Sequence, residues 1–278
     1  MGETVRFIKL QIEENVFRRR WLLILPISIF ISSNETSRVL AQSFGAIQKF
    51  NTWDVLFSVF SNANYLFFVT NGIFLYLICD LSTEKSYGQM VLLKLGSRKQ
   101  WWVGKVAALG AVVLIYIAVN VGISACIASF AFPWQSFWSE SAHSSPSNFY
   151  LNPILLNLNP TLAFSWLLLF LALGWFGLGL LVINCSQFLD NHILGFITGI
   201  LINFVSLIIY KLNIQSPFVD LSFHQHMLIN LLFSGQNHSL FVSFGSSLIY
   251  WVLWFTIFLF LGFVYGRQKD FFRRESGS

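Results

Sequence analysis

Long apolar runs, separated by shorter polar and charged stretches, follow one another along the chain. An α-helix needs about 20 mostly apolar residues to cross a bilayer, and most of these runs have that length. The runs are continuous and do not alternate with polar positions, so they predict helices rather than strands. The sequence therefore predicts an all-α, polytopic membrane protein with six transmembrane helices. The predicted spans are about 21–40, 55–79, 103–132, 162–182, 193–210 and 240–265.

Residues 3–20, before the first span, combine a helical spacing of apolar side chains with many charges. Val5, Ile8, Ile12 and Val16 fall on one face, and Arg and Lys side chains flank them. This pattern predicts an amphipathic helix lying in the membrane interface. The span that follows is the least apolar of the six, and we expect it to kink at Pro26.

Several spans contain residues that are unusual in lipid. The second span has Asn62, Asn64 and Asn71, and such amides seek hydrogen-bond partners, so they are candidates to line a polar path or to contact other helices. In the fifth span, Gly195 and Gly199 form a small-xxx-small pair, which favours close helix packing.

Composition supports a membrane location. Of the 278 residues, 55% are hydrophobic and 10% are charged, against about 25% charged in soluble domains. The net charge of +5 comes without a basic stripe on a soluble domain, so we expect no nucleic-acid partner. The chain has no G-x-x-x-x-G-K-[ST] motif and is therefore not predicted to hydrolyse ATP itself.

The positive charges are distributed unevenly over the predicted topology. Only Arg38, Lys49 and Lys211, three of the 17 Lys and Arg residues, fall on the side opposite the two termini. The positive-inside rule therefore predicts that both termini and the 80–105 stretch are cytoplasmic, in a multi-pass protein of a cell membrane.

The stretch from Asp80 to Lys105 is the longest charged interruption between two apolar runs. In sequence order it has Glu84, Gly88, the turn Gly96-Ser97-Arg98, a tryptophan pair and Lys105. This order, together with an interfacial helix and six spans, resembles the permease subunits of ABC-2-type ABC transporters. One departure is that many members have a proline near the position of Gly96-Ser97.

The resemblance implies one ABC-2-type transmembrane domain over residues 1–278, with residues 80–102 as a coupling loop. Such permeases pair with a second half, identical or related, and bind two ATPase subunits, which hold the ATP and magnesium. The expected function is ATP-driven export of a hydrophobic or amphipathic molecule, such as a peptide or drug, across a bacterial plasma membrane. The residues implied in coupling to the ATPase are Glu84, Lys85, Tyr87, Gly88, Arg98 and Lys105.

Two other functions remain open. Short patterns at Glu13-Glu14, His192 and His226 match intramembrane CAAX-type and bacteriocin-processing proteases. The predicted topology places His192 and His226 on opposite sides of the membrane, whereas a general base must lie within hydrogen-bond reach of its proton. The other alternative is a non-catalytic anchor or sensor subunit.

No metal site is predicted. His224, His226 and His238 lack a recognised ligand spacing and are expected to be polar loop residues. The tryptophans near span ends are expected to be interfacial anchors. They are Trp101, Trp102, Trp134, Trp138 and Trp251.

Overall fold

The structure is a computed structural model that describes residues 2–42, 49–82, 97–212, 221–232 and 243–268. Within these ranges the chain is all-helical, with no strand. The helices are α1 (Gly2–Val16), α2 (Ile24–Gln42), α3 (Thr52–Ser61), α4 (Asn71–Ile78), α5 (Arg98–Ala131), α6 (Glu140–Ser144), α7 (Pro160–Phe188), α8 (His192–Leu212), α9 (Phe223–Met227), α10 (Ile229–Leu232) and α11 (Phe244–Gln268). Shorter turns join them, among them the 3₁₀ segments Arg19–Leu23 and Cys79–Ser82 and the π-helical segment Tyr65–Thr70.

Four of the described helices are long and apolar enough to cross a membrane: α5, α7, α8 and α11. A fifth candidate is a broken span, in which Thr52–Ser61 and Tyr65–Leu81 meet at 59°. These helices fit a multi-pass membrane protein and match the predicted third to sixth spans to within a few residues. The predicted count of six, and the side on which each terminus lies, stay predictions.

The predicted first span is a helix, α2, but it is not among the helices that are long and apolar enough to cross a membrane. The second half of α2 contains the charged residues Glu35 and Arg38. Glu35 is 2% exposed and pairs with Arg38 at 2.8 Å. Arg38 also donates to Ser58 Oγ of α3 at 2.8 Å. Pro26 lies in the first turn of α2, where a proline lacks no helical hydrogen bond. The helix therefore begins at Ile24, and the proline lies within its first turn instead of kinking the middle of a span.

The second predicted span, 55–79, is not one straight helix. Asn62 adopts an extended backbone at the end of α3, and its Oδ1 accepts from the Asn64 N–H at 2.9 Å. The chain then runs through the π-helical segment Tyr65–Thr70. A π turn leaves carbonyls that need other donors, and neighbouring helices supply them. Tyr116 donates its hydroxyl to Thr70 O at 2.8 Å, and Asn203 donates to Phe67 O at 2.6 Å.

Helix α7 is the centre of the bundle and packs against α5, α8 and α11. Three of its glycines lie where a Cβ atom would come within 3 Å of a neighbour, so they allow the neighbouring side chains to approach α7 closely. The pairs are Gly174 with Met227, Gly177 with Trp251, and Gly179 with Leu109. The predicted packing role of Gly195 and Gly199 is confirmed, because both press against Val182 of α7.

Asn71 lies in a buried hydrogen-bond network that joins three helices. Its Nδ2 donates to Asn203 Oδ1 of α8 at 2.7 Å, and its Oδ1 accepts from Trp175 Nε1 of α7 at 2.8 Å. Asn71 is fully buried and Asn203 is 3% exposed. Amides buried among apolar helices must find their partners within the protein, and here the partners lie on three different helices.

Replacing Asn71 or Asn203 by leucine is expected to destabilise the protein by about 1 kcal/mol each, because the remaining partners lose their hydrogen bonds. The double variant is expected to lose less than the sum of the two single losses, because it removes both ends of one bond. Thermal unfolding in detergent of the wild type, both single variants and the double variant measures this coupling. Strictly additive losses would contradict a direct Asn71–Asn203 interaction.

Residues 133–158 and the helices α9 and α10 lie at the end of the bundle opposite α1. Here one sequence prediction is wrong. His224 and His226 are 1% and 3% exposed, so they are core residues and not polar loop residues. His226 Nδ1 and Ser247 Oγ of α11 share a 2.8 Å hydrogen bond, and the ring stacks on Tyr250. Burial, and then the nearby His226, lower the pKa of His224 to about 4, so this side chain is neutral near pH 7.

The tryptophans predicted as interfacial anchors are mostly core residues. Trp134 is half exposed, whereas the other four are at most 5% exposed. Trp101 and Trp102 of α5 pack against Gly266 and Gly262 of α11. Large aromatic side chains fill the spaces that small residues leave between helices, which a position near the end of a span does not reveal.

Candidate functional site

The candidate site is a partly buried polar cluster where α1, residues 79–82 and α5 meet. We call it the loop base, and its members are Gln11, Arg18, Arg20, Asp80, Leu81 and Lys105. Most of the predicted coupling loop, residues 83–96, lies outside the described residues. Ser82 is the last described residue before it, and Ser97 is the first after it. The loop base therefore lies where this segment begins and just inside the helix at which it ends.

The first half of the loop base is an ion cluster around Asp80. The Asp80 carboxylate pairs with Arg18, and Arg20 approaches the same oxygen at 3.1 Å. The Arg20 side chain is 9% exposed and also donates to Asn15 Oδ1 of α1 at 3.3 Å. The 3₁₀ segment Arg19–Leu23 turns the chain so that both arginines face Asp80. The end of the broken span is thus held to the junction between α1 and α2.

The second half is the buried ammonium group of Lys105. This residue is fully buried, and its Nζ donates to Leu81 O at 2.5 Å and to Gln11 Oε1 of α1 at 3.1 Å. The Nζ also lies 5.9 Å from the ring centroid of Trp101, within the range of a cation–π interaction. Lys105 therefore joins the start of α5 to the last turn before residue 83 and to α1.

Burial makes the loss of a Lys105 partner more costly than the loss of a partner in a surface ion pair. An ammonium group taken out of water loses its hydration, so it is stable in the folded protein only if its donors find acceptors there. Leu81 O and Gln11 Oε1 are two such acceptors. The exposed pair Lys9–Glu13 on α1, at 3.7 Å, is by contrast expected to contribute little. The loop base thus joins a partly exposed ion cluster to a fully buried ammonium group, and we call this set of contacts the clamp.

Of the residues predicted to couple to an ATPase, Glu84, Lys85, Tyr87 and Gly88 lie outside the described residues. Arg98 is exposed in the first turn of α5, which Ser97 caps by accepting from the Gln100 N–H at 3.2 Å. Residues 98–102, predicted as loop, belong to this helix. The structure therefore separates the two predicted cations, with Arg98 at the surface and Lys105 in the core.

The three asparagines predicted as path-lining candidates differ in their surroundings. Asn62 is buried at the break between α3 and the π-helical segment, and Asn64 is exposed. Asn71 lies in the network with Asn203 and Trp175 described above. A cavity of about 10 Å³, about the space of one water, lies near this break between α2 and α5. Path lining stays a prediction for all three.

The residues of the protease patterns do not come together. Glu13 and Glu14 are exposed on α1, and His192 begins α8 near the same end of the bundle. His226 lies at the opposite end, in contact with Ser247. Among the described residues there is also no group of three His, Cys, Asp or Glu side chains that could hold a metal ion. Glu13, Glu14, His192 and His226 therefore do not form an acid–base pair within hydrogen-bond reach of one another.

No protein-family model matches the chain, and no curated protein matches it.

The sequence indicated Lys105 but not its partners. Asp80 and Arg18 are 62 residues apart, and Lys105 and Gln11 are 94 residues apart. Only the packing of α1 beneath α5 brings these side chains together. One signal was present, however. A cluster of three arginines at Arg18–Arg20 directly before an apolar span, and an aspartate at the end of the next span, are opposite charges at the same predicted depth.

Proposed function

We propose that this chain is the permease subunit of an ATP-driven ABC transporter of the ABC-2 type. In this proposal residues 83–96 contact a separate ATPase subunit in the cytoplasm, and two ATPase subunits and a second permease half complete the transporter. ATP and magnesium bind to the partner subunits. The transported molecule is a hydrophobic or amphipathic compound that leaves the cell.

The observation that carries the proposal is the clamp at the loop base. A segment that receives a displacement from a motor must pass it to membrane helices without yielding at its own ends. Asp80 and Lys105 lie near the two ends of residues 83–96, and both are bound to the region of α1 and the α1–α2 junction. The Lys105–Leu81 hydrogen bond also joins the two ends to each other.

This geometry suggests how movement would be transmitted. A push on residues 83–96 would act on α4 through Asp80 and on α5 through Lys105 at the same time. Because α1 is attached to both, it would move with them as one rigid unit. The broken span, which includes α4, offers a point at which the helix can bend. Its 59° bend and its π-helical segment interrupt the regular helical hydrogen bonds.

Charge reversal of Glu84 provides the test. The variant Glu84→Arg is expected to reduce co-purification of the ATPase subunit at least tenfold, because an arginine would replace the predicted acidic contact. The measurement is the amount of ATPase that an affinity-tagged permease retains after co-expression with ATPases encoded beside it.

The matched control is Glu140→Arg, the same change at an exposed glutamate in α6 at the opposite end of the bundle. This control is expected to retain the ATPase at the wild-type level. If Glu84→Arg retained the ATPase and transport as well as Glu140→Arg does, the coupling role of this segment would be wrong. If the wild type retained no ATPase, the transporter proposal itself would fail.

A further inference from the structure

The last turns of α7, at the loop-base end of the bundle, contain three buried polar side chains with atoms that lack hydrogen-bond partners. Asn184, Ser186 and Gln187 are 5%, 4% and 8% exposed. Asn184 Oδ1, Ser186 Oγ and both polar atoms of Gln187 have no partner. They are four of the nine such buried side-chain atoms in the described part of the chain. We call these three residues the α7 polar cluster.

This cluster differs from the buried asparagines of the long helices and of the broken span, although Gln225 Oε1 and Asn230 Oδ1, in α9 and α10 at the other end of the bundle, also lack partners. Asn71, Asn120 and Asn203 each find partners for their side-chain oxygen and nitrogen atoms. Leaving a buried amide unpaired is costly, and an apolar side chain of similar size would remove the cost. A chain that satisfies these three asparagines but not the α7 polar cluster indicates that the partner of the cluster is absent from the folded chain alone.

The position of Gln187 on α7 shows which neighbouring helices it faces. Gln187 follows Phe176 by 11 residues, close to three helical turns, so the two lie on the same face of α7. Phe176 lies against Gly110 of α5 and packs edge-on against Phe255 of α11. Gln187 therefore faces the seam between α5 and α11, toward the end where Trp102 donates to Leu259 O at 3.1 Å.

The neighbouring contacts show how the cluster could be reached. Ser186 touches Gly195 of α8, and the Asn191 N–H donates to Ser186 O at 3.1 Å in the short turn between the two helices. On the other side, Asn184 Nδ2 donates to Phe258 O of α11 at 3.1 Å. The cluster is enclosed by these contacts, and a small separation of α11 from α7 at this end would open it to the surrounding water.

We propose that the α7 polar cluster is a binding site for an uncharged hydrogen-bonding group, an amide of the kind found in a peptide, on a molecule that reaches it from the loop-base end. The unpaired atoms supply at least two acceptors, Asn184 Oδ1 and Gln187 Oε1, and one amide donor, Gln187 Nε2. An amide group supplies the complementary donor and acceptor. This inference rests on the proposed transport function and assigns to it a first binding site on the side from which an exported molecule comes.

The first test measures access to the cluster with a water-soluble maleimide. In a variant with Cys79, Cys126 and Cys185 replaced by serine, Gln187→Cys is expected to react at least fivefold faster than Ile183→Cys. Ile183 lies one turn earlier on α7, is fully buried and has no polar atom to serve a ligand. Equal labelling rates for the two cysteines would overturn the proposal.

The second test measures thermal unfolding of the purified chain in detergent. Gln187→Met, which keeps the length of the side chain and removes the unpaired amide, is expected to raise the melting temperature by about 2–4 °C. N-acetylglycinamide at high millimolar concentration is expected to raise the melting temperature of the wild type by about 1–2 °C and not that of Gln187→Met. A lower melting temperature for Gln187→Met, or an equal shift in both proteins, would overturn the assignment.

These measurements need no ATPase, so they test the binding site independently of the transport proposal. A chain that shows the labelling and the amide-dependent shift but retains no ATPase would keep the binding site and refute the transporter. A chain that retains the ATPase but shows neither effect would refute only the site.

Discussion

Gly195→Ala is expected to destabilise the protein by about 2 kcal/mol, because α7 and α8 approach each other too closely at this point for a methyl group. A Cβ atom at residue 195 would overlap Ser186 Oγ and would lie 2.8 Å from Val182 O and 2.9 Å from Ser186 Cβ. The serine hydroxyl can rotate away, but the carbonyl belongs to the backbone of the central helix and cannot. The two helices would have to separate along their contact.

Gly122→Ala is the matched control for this effect. Gly122 lies within the long helix α5, and a Cβ atom there would meet nothing within 4 Å. Because alanine favours a helix over glycine by about 0.5–1 kcal/mol, this change is expected to be neutral or stabilising. The melting temperatures of the two variants in detergent should therefore move in opposite directions. A Gly195→Ala protein that melts like Gly122→Ala would contradict the close α7–α8 contact.

A second change sharpens the steric explanation. Ser186→Ala removes the overlapping hydroxyl, so the double variant with Gly195→Ala is expected to recover part of the lost stability. The recovery should be incomplete, because Val182 O and Ser186 Cβ remain. Full recovery would place the clash at the hydroxyl alone, and no recovery would place it at the backbone.

The helices of the second half of the chain could be predicted from hydropathy because each is one continuous apolar run. Helices α7, α8 and α11 begin and end within about six residues of the predicted spans. The Gly195 contact was predictable for the same reason, since small residues four apart in an apolar helix favour close packing. These features depend on local sequence alone.

The broken second span could not be predicted in this way. The hydropathy of residues 55–79 does not reveal a change of direction at Asn62, because the residues on both sides of the break are apolar. The break follows instead from asparagine chemistry: the Asn62 side chain bonds the Asn64 N–H and thereby replaces a helical hydrogen bond. The π-helical segment then depends on donors from Tyr116 and Asn203, which lie on other helices.

The burial of the histidines and tryptophans could not be predicted from the local sequence either. His224 lies between Phe67 and Tyr210, and Trp102 packs onto Gly262. Polar or amphipathic residues near the end of a predicted span can face water, lipid headgroups or another helix, and the choice depends on the shape of the neighbour. The contacts of the charged residues in the loop base could not be predicted for the same reason. Only the fold brings Arg18 and Arg20 to Asp80.

Asp80→Asn is expected to have the largest effect on function. It removes the one carboxylate that both Arg18 and Arg20 contact, and the Arg20 side chain is only 9% exposed. An arginine left in this setting without its counter-charge is expected to cost about 2 kcal/mol, less than in a dry core because Asp80 itself is 26% exposed. The end of the broken span would then no longer be held to the α1–α2 junction.

If the loop base transmits movement, this loss should appear in transport more strongly than in assembly. The reconstituted Asp80→Asn complex is expected to keep its ATPase subunits, because residues 83–96 are unchanged, and to lose at least tenfold in ATP-dependent transport. Its ATP hydrolysis should continue without transport, since the motor would move a segment that no longer pulls on the membrane helices.

Two control variants separate this effect from a general loss of stability. Glu13→Gln removes the exposed pair with Lys9 and is expected to cost at most about 0.5 kcal/mol and to leave transport unchanged. Asp80→Glu keeps the charge and is expected to recover most of the transport. Transport by Asp80→Asn at the wild-type rate would show that the clamp holds the fold together but transmits nothing. Equal losses in Asp80→Asn and Asp80→Glu would show that the length of the side chain matters more than its charge, because a carboxylate moved by about one methylene would no longer reach both arginines.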